Sequence, residues 1–169
     1  MAKSAMMRVM DTAIQMTGVL NPRDSWTADR CTVARSLEVL STRSAFLILR
    51  EAFYGATRFD EFTVRARISE PVAAARLREL VDEGLLVRED YREPGQRTRQ
   101  RYRLTDKGAE FFPVLVALMR WGDRWIDADD GPVELRHRDC GERVGVEVRC
   151  AAGHEVGPDE IDLVNRRPR

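Results

Sequence analysis

The sequence predicts a mainly α fold that carries one small β-hairpin, an α+β arrangement. Three observations lead there. Apolar residues recur at three- and four-residue steps in several segments between positions 29 and 83. A Pro-Gly turn then separates two short alternating stretches. A last helical pattern, rich in apolar and aromatic residues, runs to about residue 126.

Helix one is expected to begin near Asp29, a residue suited to N-capping, with Val33, Leu37 and Leu40 at helical spacing. Ser44 is expected to cap a second helix in AFLILREAFY, apolar nearly all round and therefore buried, with Gly55 at its end. A short third helix in RFDEFTVRA sets Phe59 and Phe62 on one side. After a short turn, Ser69 caps a fourth, EPVAAARLRELVDE, with Pro71 in its first turn and Gly84 as its stop. Ala73, Leu77 and Leu80 form its inner stripe. Ser69, Glu70, Ala74 and Arg78 lie off that stripe, and Arg76 lies near its border.

The stretch YREPGQRTRQRYRLTDKG, Tyr91 to Gly108, holds five arginines around Pro94-Gly95. With LLVRED before it, the pattern is strand, turn, strand. Arg99, Arg101 and Arg103 alternate onto one face, while Tyr102 and Leu104 point to the other, towards a core. Such a row suits an anionic surface, and it equally suits a solvated edge strand guarded against aggregation. A long helix capped by Thr105 follows, with Phe111, Val114, Leu115, Leu118, Trp121 and Trp125 in one stripe. Pro113 should kink it. The stripe is wide and aromatic enough to serve a partner helix as well as a core.

Composition narrows the function classes. The chain has 169 residues, 43% hydrophobic and 33% charged, with a formal net charge of zero. VLVALM is its longest apolar run, too short for a bilayer. The N-terminal stretch lacks a continuous apolar core of the signal-peptide kind, and three scattered cysteines do not form a secreted disulfide framework, so the cytoplasm is the expected location. Residues 1–28 hold five of the six methionines and end in the turn-rich GVLNPRDSW, which reads as a flexible arm. Zero net charge argues against blanket nucleic-acid affinity but leaves room for a local basic face. From Thr57 to Arg103 there are eleven arginines, no lysine and nine acids, a choice that favours planar contact with phosphate or carboxylate. No Gly-rich phosphate loop, paired carboxylates in an apolar setting, or nucleophile beside a histidine suggests an enzyme or a cofactor.

Helix, helix, short helix, helix, strand, charged turn, strand, long helix is the order of a winged helix-turn-helix. Its second turn-motif helix has small residues on the outer face, as entry into a major groove requires. The hairpin arginines would then lie along phosphates or in the minor groove. A winged helix used for protein contact alone, as an adaptor, is the alternative.

The blocks RCTVARSLEVL, SAFLILREAFYGATRFDEF, ISEPVAAARLRELVDEGLL, YREPGQRTRQRYRLTDKG and FFPVLVALMRWGDRW together resemble the HxlR-type transcriptional regulators, related to the MarR group, over about residues 30–126. The resemblance implies a homodimeric regulator of double-stranded DNA, often a repressor, whose first and last helices form the dimer. It places the recognition helix at Ser69 to Arg78 and the wing at Arg92 to Arg101. Carried over by position, the DNA-facing residues are Arg58, Ser69, Glu70, Ala74, Arg76 and Arg78, with Arg92, Gln96, Arg97, Arg99 and Arg101 on the wing. Leu37, Leu118, Trp121 and Trp125 would serve dimerisation. STRSAF and SEP depart from the family's usual sequences before the second helix and at the recognition helix, and Glu70 repels phosphate.

Two further groups stand out. Cys31 is expected in the first turn of helix one, where the helix N-terminus, Arg30 and Arg35 would favour thiolate. Some members of the resembled family sense oxidants or electrophiles near this point. The alternatives are a small buried side chain or, with His154, a thiol-dependent enzyme. Beyond the linker DADDGP, residues 127–169 read as a separate module, with VELRHRDCG and VGVEVRC as two strands of a small ribbon. His137-x-x-Cys140 and Cys150-x-x-x-His154 offer zinc-ligand types in two pairs, using both histidines of the chain. The ribbon without metal is the other reading.

Overall fold

In the computed structural model, which describes residues 14–21, 31–40, 42–92, 95, 98–126 and 131–164, helix α1 (Thr32–Val39) follows Cys31 as its N-cap. Asp29, the expected cap, lies outside the described residues, and Cys31 precedes the first turn instead of occupying it. None of α1 is buried; Leu40, just past its end, enters the core. Helix α2 (Arg43–Phe53) is capped by Thr42 and not by Ser44. Thr42 has the extended backbone that a cap needs, and its hydroxyl accepts from Ala45 N at 3.2 Å, while Ser44 is already helical. Ile48 and Leu49 of α2 are fully buried.

Helix α3 (Phe59–Ala66) is started by an acid three residues in. The Glu61 carboxylate accepts from Thr57 N at 2.8 Å and Arg58 N at 2.9 Å. These two backbone donors, ahead of Arg65 and Arg58, hold its carboxyl below the ordinary value of 4.5. A lowered folded value means this cap stabilises at neutral pH and fades as pH falls through that value. Arg67 ends α3 in the left-handed region, φ 51° and ψ 52°, which costs a non-glycine residue roughly 1 kcal/mol. Helix α4 (Glu70–Asp82) begins after Ser69, whose carbonyl, and not its side chain, takes the bond from Ala73 N at 2.9 Å. Ala73, Leu77 and Leu80 face inward.

Strands β1 (Leu86–Tyr91) and β2 (Arg99–Leu104) form the antiparallel hairpin, in the register Leu86 to Leu104, Glu89 to Arg101 and Tyr91 to Arg99. Tyr102 packs edge-on to Phe62 with ring centroids 6.1 Å apart. Its amide donates to Thr57 O at 2.7 Å, and Arg58 bridges Arg101, so the turn before α3 adds a short third edge to the wing.

The long helix expected after Thr105 is two helices, α5 (Asp106–Ala109) and α6 (Phe112–Trp125). Pro113 is the cause. Its ring would clash with the carbonyl four residues back, so α5 stops at that point, and the missing N–H costs nothing in the first turn of α6. The break replaces the expected kink. Thr105 accepts from Gly108 N at 3.0 Å and donates to Gly84 O at 2.6 Å, pinning α5 to the end of α4. The expected single stripe also divides. Phe111, Leu115 and Val116 are buried, whereas Val114, Leu118, Trp121 and Trp125 are exposed.

Phe62, Ile48, Leu49, Leu77, Leu80, Leu86 and Val116 are the largest fully buried side chains, each worth roughly 1.5–3 kcal/mol on removal from water. They all belong to one of two compact units, Cys31–Arg120; the other comprises Met1–Arg30 with Trp121–Arg169. In that second unit Gln15–Met16 pairs in parallel with Asp162–Leu163. The expected ribbon strands are absent among the described residues. Two hydrogen-bonded turns stand there, each carrying one isolated bridge, Arg136 to Arg143 and Arg149 to Glu155. No described residue of 131–164 is buried, so nothing apolar holds a longer ladder together. No helix among the described residues is long and apolar enough to cross a membrane.

Candidate nucleic-acid interface

The first unit brings an exposed helix and an arginine-lined hairpin together on one scaffold. Ser69, just ahead of α4, is exposed, as are Glu70 and Arg78 within it, and Ala74 and Arg76 are half-buried. Burial of Ala73, Leu77 and Leu80 leaves the opposite side to solvent. Arg76 is not a free cation, because Glu79, one turn on, holds it in an ion pair.

On the wing, cross-strand register sets the electrostatics. Arg99, Arg101 and Arg103 share a face with Val87, Glu89 and Tyr91. Arg101 Nε donates to Glu89 Oε2 at 3.0 Å, so the middle arginine of the row is partly neutralised. The Arg58 guanidinium carbon lies 5.6 Å from the Tyr91 ring centroid, a cation–π contact that fixes it beside the same face. Arg92 is exposed at the end of β1, while Gln96 and Arg97 lie outside the described residues. Alternation in the sequence reveals the arginine row. The Glu89 partnership needs the register, and the role of Arg103 as third member of the row is visible in both.

This partnership yields a first prediction. Glu89→Gln removes an exposed pair worth under about 1 kcal/mol, so thermal stability should hardly change. If Arg101 faces phosphate, its release should steepen the salt dependence of DNA retention by up to about 0.9 in log–log slope. An unaltered slope would place Arg101 away from DNA.

The remaining candidates are scattered. Leu37 is 54% exposed and Leu118 50%, each on a helix of the first unit, while Trp121 and Trp125 are 56% and 53% exposed in the second. Cys31 is half-buried, and its carbonyl accepts from Arg35 N at 3.1 Å. In the tail, His137 Nδ1 and Cys140 Sγ stand 3.2 Å apart, and Cys150 N donates to His154 O at 3.0 Å across the second turn. Among the described residues, no three His, Cys, Asp or Glu side chains gather where a metal ion could sit, short of the four ligands of a structural zinc.

A helix-turn-helix core, a second motif helix with an open outer side and an arginine-edged wing define a winged helix-turn-helix transcriptional regulator. Residues 39–130 match the HxlR-like helix-turn-helix family, and the chain belongs to it. It is 40% identical over 126 residues to the uncharacterized HTH-type transcriptional regulator Rv3095 of Mycobacterium tuberculosis, covering 73% of this chain and 78% of that one. The crystal structure of PA1607 is similar, with a TM-score of 0.74 at 38% identity, covering 82% of this chain and 96% of its own. The solved structure of PA1374 from Pseudomonas aeruginosa matches with a TM-score of 0.57 at 34% identity, over 82% and 93%. Family and relatives are regulators of transcription, which sets the enzyme reading aside.

Proposed function

We propose that the chain binds double-stranded DNA as a homodimer and acts as a cytoplasmic repressor. Helix α4 enters the major groove, with Ser69, Glu70, Ala74, Arg76 and Arg78 at or near its walls. The hairpin lays Arg99, Arg101 and Arg92 along the phosphates, with Arg58 beside them. The observation that carries this reading is the concentration of arginine on one hairpin face in a chain of zero net charge. Residues 29–126 carry the DNA-binding function, and neither the arm at 1–28 nor the module at 127–169 is assigned a DNA contact.

Two apolar surfaces support self-association. Helix α1 leaves Val33 and Leu37 exposed, and α6 leaves Val114 and Leu118 exposed, as helices that meet a second copy would. Retention on immobilised mixed-sequence duplex DNA over a salt series tests the proposal. Binding should fall steeply with salt, and Arg99→Ala should flatten the slope by about 0.9. A protein that is not retained at low salt would instead be an adaptor.

Regulation through Cys31 belongs to the same proposal. Its place at the head of α1, a helix assigned to the dimer contact, would let an oxidant or electrophile alter half-site spacing. With Cys140 and Cys150 replaced by serine, a quinone should release DNA from the Cys31 protein and spare Cys31→Ser. Equal behaviour of the two proteins would reduce Cys31 to packing.

A further inference from the structure

Arg67 is the one non-glycine residue with positive φ among the described residues. It ends α3, two positions before Ser69 opens the way into α4. Turns of this motif often contain glycine, which adopts the left-handed conformation freely. In arginine the Cβ crowds the following carbonyl. Strain retained at such a point marks a side chain that is needed there. A cation at the end of α3 would also favour the helix dipole, but Arg65 in the last turn supplies that without strain.

Charge bookkeeping around the motif points the same way. Arg65 is engaged by Glu61, Arg76 by Glu79 and Arg101 by Glu89. Arg67 is exposed and makes no ion pair among the described residues. Glu70, in the first turn of α4, puts a negative charge where the DNA backbone would approach.

We infer that Arg67 is a positioning residue for DNA. Its guanidinium holds a phosphate beside the groove that receives the first turn of α4, and it offsets the repulsion from Glu70. Phosphate contacts of this kind set register and orientation without reading sequence. The inference rests on the DNA-binding reading above, and its test separates the two.

The full chain is compared with Arg67→Gly, Arg67→Asn and Arg67→Lys, by thermal melting and by binding to a mixed-sequence duplex over a salt series. Glycine and asparagine tolerate the left-handed backbone, so both variants should melt no lower than the parent. Both should bind several-fold more weakly, with a log–log salt slope shallower by about 0.9, and lysine should keep the slope. Parental slope and affinity in the glycine and asparagine proteins would overturn the inference. A marked drop in their melting temperature would overturn it too, since Arg67 would then be a structural cap. Failure of the parent protein to bind the duplex at any salt would instead sink the DNA-binding reading itself.

Discussion

Gly108→Ala should destabilise the winged unit by about 3 kcal/mol or more, the range of severe overpacking. A Cβ at this position would stand 2.1 Å from the Leu85 carbonyl oxygen, 3.0 Å from its carbon and 3.1 Å from Leu104 Cδ2. The backbone oxygen cannot step aside, because it accepts from Thr105 N at 3.1 Å and lies 3.2 Å from the Thr105 hydroxyl. Relief therefore requires α5 to lift off, which breaks the cap that joins it to the end of α4. Thermal unfolding should register a fall of more than about 10 °C, given the enthalpy scale of a domain this size. Gly122→Ala on α6 is the control. Nothing lies within 4 Å of its added Cβ, so it should leave the melt unchanged or raise it slightly. Equal melts for both variants would mean that α5 does not pack as described.

The double replacement Trp121→Ser and Trp125→Ser carries the largest expected effect on DNA. Both indoles are more than half exposed, so their loss removes little core from the isolated protomer. The circular dichroism melt should therefore survive, which distinguishes lost association from lost folding. If these side chains meet a second copy, the protein should sediment as a monomer. Two tethered half-sites bind with an effective-concentration gain of about 10²–10⁴, so affinity for a two-half-site operator should fall by at least the lower figure. A monomer that binds as tightly as the parent would overturn the dimeric mode of binding.

Much of the architecture was legible in the sequence because periodicity reports burial. Alternation alone separates Tyr102 and Leu104 from the arginines, and three- and four-residue spacing finds Ala73, Leu77 and Leu80. Chain ends of helices were harder. Thr42 and Ser44 are both able caps, and only backbone conformation chooses between them. At Pro113 the sequence reveals an interruption, but a kink and a restart differ in where the flanking turns can pack. The candidate site shows the same division. Arginine positions are visible in one dimension, whereas the Glu89 to Arg101 pair appears only once two strands are in register. Arg67 escaped because arginine gives no hint of a left-handed backbone. Gly108 escaped because a glycine inside a short helix looks like a weakness until its neighbour, the Leu85 carbonyl, is known.

The parallel pairing of Gln15–Met16 with Asp162–Leu163 bears on how the chain is made. The hydrogen bond from the Thr17 hydroxyl to Leu163 O spans 146 positions. On a ribosome that extends the chain by roughly 5–20 residues per second, residues 15–17 must wait roughly 7–30 s for a partner. The winged unit, drawn from Cys31–Arg120, can condense during that interval. Closure of the pair is then a late step, and in stalled nascent chains halted before residue 163 the early segment should be open to protease while the winged unit resists.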